Sequence, residues 1–142
     1  MKRIAVLLCA GLLLAGCGSI KASVALSNWV LQSNFKSAVG TFASDSAIAA
    51  NNLRNPKATK ADLHTVCAVL YLDAQQANSS LPTPDDQATQ LLGKAYDYFS
   101  SAANACYDAS SLMARPAVLR ELSKATATFS EATARVATAS TP

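Results

Sequence analysis

Few side chains in this chain of 142 residues have types and spacings that could do chemistry. His64, the only histidine, precedes Cys67 by three residues, which puts an imidazole and a thiol on one helix face and makes half of a metal site. Two ligands do not complete one. Glu occurs only at positions 121 and 131 and no Glu-x-x-His is present, so the ligand set of a di-iron bundle is missing too. His64 therefore reads as a surface residue. Asp85 and Asp86 follow Pro84, where first-turn acids complement a helix dipole, and they are expected to start a helix and not to form a catalytic pair. Serine is abundant, yet no Gly-x-Ser-x-Gly elbow or phosphate-cradling glycine loop occurs; past Gly18 only Gly40 and Gly93 remain. Asp45 borders an apolar stripe, where a carboxylate must reach water or a partner. Tyr71, Tyr96, Tyr98 and Tyr107 could line a ligand groove with polar tips inward, or sit at a bundle boundary as amphipathic side chains do. The expectation is a chain with no metal, no cofactor and no enzymatic activity.

The N-terminus carries an address. Met1-Lys2-Arg3 supplies two positive charges, and the eleven residues Ile4 to Leu14 form an apolar run. As a helix that run reaches only ~16 Å, against a hydrocarbon core of ~30 Å, so it reads as a cleaved signal and not as a span. Leu14-Ala15-Gly16-Cys17 closes it and resembles the lipobox of bacterial lipoproteins. The resemblance implies cleavage between Gly16 and Cys17, a diacylglycerol thioether on Cys17 and acylation of the new amine, as with palmitate. Two or three chains anchor a protein stably to a membrane, whereas one does not. The alternative is an ordinary secretory signal with a cysteine at its border, and on either reading the domain is exported. The expected organisation is a signal peptide over 1–16, a lipidated cysteine and tether over 17–23, and a folded domain over 24–142 on the extracytoplasmic face.

Losing Lys2 and Arg3 takes the 12 basic residues to 10 against 9 acidic ones, a net charge of +1 in place of +3. The basic residues are scattered from Lys21 to Arg135, so nucleic acid is not an expected partner.

Export also sorts the cysteines. Cys9 leaves with the signal and Cys17 takes the lipid, which leaves Cys67 and Cys106 in an oxidising compartment, where one disulfide is the economical reading and two buried free thiols the alternative. Counted outward from the proline-rich turn at Leu81 to Pro84 the two cysteines stand at different heights. Counted from the far ends of their helices they are level, provided that an extended linker climbs the difference at ~3 Å per residue.

The elements that must position these residues are helices. Asn55-Pro56, Leu81-Pro82-Thr83-Pro84 and Arg115-Pro116 break the chain into four stretches rich in Ala, of which the chain has 29. Each stretch carries an apolar stripe at helical spacing: Val24, Leu31, Phe35, Phe42, Ala49 and Leu53 in the first; Leu63, Cys67, Leu70, Ala74 and Ala77 in the second. The third runs through Ala88, Leu92, Ala95, Phe99, Cys106 and Met113, and the fourth, which is weaker, through Leu119, Leu122, Thr126, Phe129, Thr133 and Val136. Thr59 and Thr83 each precede an aspartate by three and are expected caps, while Pro84 and Pro116 suit first-turn positions. The pattern predicts an all-α protein, a four-helix up-and-down bundle with Ala-lined seams, preceded by the signal peptide and short tether. Within it, Leu26, Trp29 and Val30 fall opposite the first stripe, a second apolar face for the bilayer or a partner; the alternative is that the chain before Asn34 leaves this helix register or that a neighbouring helix covers the face.

Cys67, Leu81-Pro82-Thr83-Pro84-Asp85 and Ala102-Ala103-Asn104-Ala105-Cys106 together resemble small helical exported proteins of actinobacteria with no assigned activity. The resemblance spans Leu63 to Cys106, supports the fold and carries no functional residue across. The resulting expectation is a non-enzymatic, lipid-anchored cell-envelope module that presents a helical surface to another envelope protein. A small-ligand or lipid carrier is the alternative. A cavity of ~300 Å³ or more lined by tyrosines favours the carrier, and a dry core with an exposed apolar patch favours the module.

Overall fold

The computed structural model describes residues 21–109 and 111–141. The expected signal peptide, Cys17 and the first residues of the expected tether lie outside them. Five α-helices follow in order: α1 Ala22–Gln32, α2 Phe35–Arg54, α3 Lys60–Asn78, α4 Asp86–Asp108 and α5 Arg115–Ala139. Helices α2 to α5 pack up-and-down, with the α3–α4 and α4–α5 seams the most extensive and α2 closing the ring against α3 and α5. α1 lies against α2 and α5. It begins at Ala22, inside the stretch expected to be tether.

The helix expected to run unbroken from Val24 to Leu53 is two helices. Asn34 takes the left-handed conformation, with φ 54°, which a short polar side chain tolerates better than most. That single residue resets the register. Val24 and Leu31, expected in the core, are exposed, and Leu26 is buried at 1% exposure. Trp29 packs on Phe35 with ring centroids 5.3 Å apart and donates its indole N–H to the Ser80 carbonyl at 3.0 Å. Val30 packs against the core as well. Leu26, Trp29 and Val30 are therefore not a free second face: α1 turns them inward, and one helix needs to bury only one side.

The second stripe stands as expected, with Leu63, Cys67, Leu70 and Ala74 buried. In the third, Ala88 through Cys106 are buried, but Met113 lies beyond the end of α4 and is 93% exposed. The fourth stripe is shifted by one position along part of its length: Val118, Ala125 and Ala132 join Leu122, Phe129 and Val136 in the core, in place of Leu119, Thr126 and Thr133. Alanine at these positions lets α5 approach α4 closely, since Ala95, Ala102, Ala103, Ala125 and Ala132 are all essentially inaccessible. At the centre, Phe42 stacks on Phe99 at 4.7 Å and on Tyr96 at 5.6 Å, and meets Phe129 at 5.0 Å.

Helix ends follow from local chemistry. Thr59 forms the expected capping box with Asp62. α4 starts two residues later than expected: Asp85, not Thr83, is its cap, accepting from the Ala88 amide at 2.7 Å, while the Thr83 hydroxyl accepts from the Asp85 amide and donates to the Asp85 carbonyl at 2.7 Å. Pro84 thus precedes the helix, and Pro116 sits in the first turn of α5. At the other end of the bundle Arg115 is buried and donates to the carbonyls of Asn55 at 2.7 Å and Ala58 at 3.0 Å. A guanidinium at the C-terminus of α2 also complements that helix's dipole, so it ties the α2–α3 loop to the start of α5.

Cys67 and Cys106 form a disulfide between α3 and α4, with Cα atoms 5.8 Å apart. The height difference closes as expected, because the linker lies back along α4: Leu81 packs beside Gly93, and Thr83 bonds Thr89.

Candidate functional site

Because α4 extends beyond the C-terminal end of α3, and α1 turns into α2 at Ser33 and Asn34, the bundle stays open on one side at that level. A cleft of about 310 Å³ occupies the gap. Ser33 and Asn34 come from the α1–α2 junction, and Ser37, Ala38 and Thr41 from the first turns of α2. The last turns of α3 and the residues after it add Asp73, Gln76, Ser79 and Ser80, and Phe35, Phe42 and Tyr96 complete the wall. The lining is thus hydroxyls, amides and one carboxyl beside three aromatic rings. It contains no histidine, cysteine, lysine or arginine.

The carboxyl is unusual. Asp73 sits beside Asp45 of α2, and burial first, then hydrogen bonding and charge repulsion from Asp45, raise its pKa to about 6. Its Oδ2 is shut off from solvent and has no donor within reach. Among the described residues the one ion pair lies elsewhere, between Arg135 and Asp85, so neither Asp45 nor Asp73 has a cationic partner. Asp45, expected to need water or a partner, meets another acid. Burial also pushes the Tyr96 hydroxyl well above the usual tyrosine range. It is a neutral polar group at any physiological pH.

Of the four tyrosines, only Tyr96 lines the cleft. Tyr98 receives Lys124 Nζ at 4.2 Å from its ring centroid, and Tyr107 stacks on His64 at 3.8 Å. His64 is half-buried under that ring, next to the disulfide and away from the cleft. No group of three or more His, Cys, Asp or Glu side chains that could hold a metal occurs among the described residues. Asp85 is no catalytic acid either: Arg135 Nη2 and Nε reach its two oxygens at 2.6 and 3.1 Å, and this pairing with the Ala88 amide holds its carboxyl below the usual range.

One spacing escaped the sequence reading. Ser33-Asn34-Phe35-Lys36 has the Ser-x-x-Lys interval of acyl-transfer serines. The helix breaks between the two residues, and Ser33 Oγ donates to the Trp29 carbonyl at 2.7 Å, so no turn of helix aims a lysine at that serine. Asp73 was missed altogether.

No protein-family model, curated protein or solved structure matches the chain. No helix among the described residues is long and apolar enough to cross a membrane.

Proposed function

We propose that this chain is a lipid-anchored, extracytoplasmic binding protein that holds a small polar ligand between α2, α3 and Tyr96 without transforming it. The cleft carries the reading: at about 310 Å³ it reaches the lower range of small-molecule sites, and hydrogen-bonding groups face it from three elements. Its polarity favours a hydrophilic ligand over a lipid tail. Catalysis is disfavoured because the lining offers no nucleophile with a base beside it, and Asp45, the second member of the acid pair, does not reach the cleft. Anchoring rests on the charged N-terminus, the short apolar run and Leu14-Ala15-Gly16-Cys17.

The test is an amide-resolved NMR titration of the full chain with choline, acetate and glucose, separately. Shifts confined to Ser33–Thr41 and Asp73–Ser80 with any of the three support the reading. Shifts scattered over the surface with all three, or none at all, defeat it.

A second reading, display of a helical surface to another envelope protein, is favoured by Val69 and Leu72, one helical turn apart on α3 and exposed at 44% and 64%. Leu72→Ser with unchanged crosslinking to envelope proteins in living cells counts against it.

A further inference from the structure

We infer that the cleft is a site for a small organic cation, an ammonium group held by the Asp73 carboxyl against the rings of Phe35, Phe42 and Tyr96. The inference rests on the ligand-binding reading and names the class of ligand. Three observations converge on it. First, an alkylammonium ion pairs with a carboxylate through its charge and packs its carbon substituents on apolar ring atoms, and the lining brings both kinds of group together. Second, the acid pair stands without a counter-charge. Asp45 of α2 and Asp73 of α3 repel one another, and among the described residues no lysine or arginine pairs with either. A cation in the cleft supplies the missing charge. Third, this arrangement costs the free protein stability, since an asparagine at 73 would donate to Asp45 and end the repulsion. Local rules broken in this way concentrate at functional sites.

A metal ion suits the cleft less well. One carboxylate and a set of neutral oxygens fall short of a calcium shell, which takes six to eight oxygen ligands, usually several of them carboxylates. The cleft is also small, with room for about ten groups the size of water, so the ligand is a compact amine and not a long polyamine.

Trp29 reports on occupancy. It is the only tryptophan, its ring packs 5.3 Å from Phe35, and its N–H is held by Ser80, so both of its partners line the cleft. The experiment follows Trp29 fluorescence of the full chain during titration with choline and ethanolamine at pH 7.5 and pH 5, with acetate, glucose and magnesium as controls, in the natural sequence and in Asp73→Asn. The expected result is saturable binding of the ammonium probes at pH 7.5. Binding should weaken about tenfold at pH 5, one unit below the Asp73 value of about 6, and at least tenfold in Asp73→Asn. The facing titratable groups are Asp45 on α2 and Tyr96 on α4, and Tyr96 stays neutral throughout this range. Asp73→Asn removes repulsion and retains the fold, which circular dichroism verifies. Equal binding of choline to the variant overturns the inference. A response to glucose or acetate without one to choline or ethanolamine overturns it too, yet leaves the cleft a ligand site. Silence from every probe up to about 10 mM overturns it as well, and the NMR titration then decides whether the broader reading survives.

Discussion

Two aspartates give the folded chain opposite responses to pH. Asp73 holds its proton more tightly folded, with a pKa of about 6, than the ordinary value of 3.8. The folded state therefore binds more protons than the unfolded chain between about pH 4 and pH 6, and this group's contribution to stability falls as pH rises through that window. Asp85 behaves in the reverse sense. Its carboxyl is lowered by Arg135 and the Ala88 amide, so its contribution is present above the unfolded carboxylate value and is lost as pH falls through the folded one. Asp73→Asn should raise the stability measured by urea unfolding at pH 7.5 by about 1 kcal/mol and flatten its change between pH 4 and 6. Asp85→Ala should lower stability at pH 7 by about 1 kcal/mol for the lost cap. An unaltered pH profile in Asp73→Asn would show that the acid pair does not form in solution. Asp45 was legible as a carboxylate in need of a partner, because its place beside a stripe is local. Asp73 was not, because its character comes from a residue on another helix.

Periodicity and proline breaks placed every connection that proline marks, between α2 and α3, α3 and α4, and α4 and α5. The break at Ser33 and Asn34 has neither proline nor glycine, and one left-handed asparagine is too small a signal to outweigh a stripe that continues across it by coincidence of spacing. The consequence was largest at α1, where Leu26 and Trp29 changed sides. Since Trp29 fills the space beside Phe35 and satisfies Ser80, Trp29→Ala should cost about 2 kcal/mol of stability, read by chemical denaturation, and leave association with lipid vesicles unchanged. Gly40 offers the opposite change. A methyl there meets nothing within 4 Å, so Gly40→Ala should stabilise α2 by about 1 kcal/mol. The α5 stripe slipped because alanine and threonine alternate along it and both pass as small; only α4, packed close against it, distinguishes them.

At the scale of the whole molecule, the disulfide and the proposed anchor act at different ends. Cys67 and Cys106 join α3 and α4 near the end held by Arg115, whereas Ser27 donates to the Ser140 carbonyl at 2.9 Å, so α1 lies where α5 finishes and where the tether enters. A bridge spanning 39 positions should contribute about 3 to 4 kcal/mol in the chain-entropy model, and reduction should lower the melting temperature accordingly. The anchor should leave stability alone. Cys17 stands four positions before Lys21, where the described structure begins, and a chain of that length reaches only ~14 Å when extended. On the proposed lipidation the entry end of the bundle is therefore held close to the bilayer surface, with the disulfide end directed away from it. Cys17→Ala takes away the acceptor of the thioether and no contact of the described core. Cells expressing this variant should lose palmitate labelling of the protein, and the protein should leave the membrane fraction, while the melting temperature of the purified chain stays the same. Retained label, or retained membrane association that survives high salt, would show that attachment comes from somewhere other than Leu14-Ala15-Gly16-Cys17.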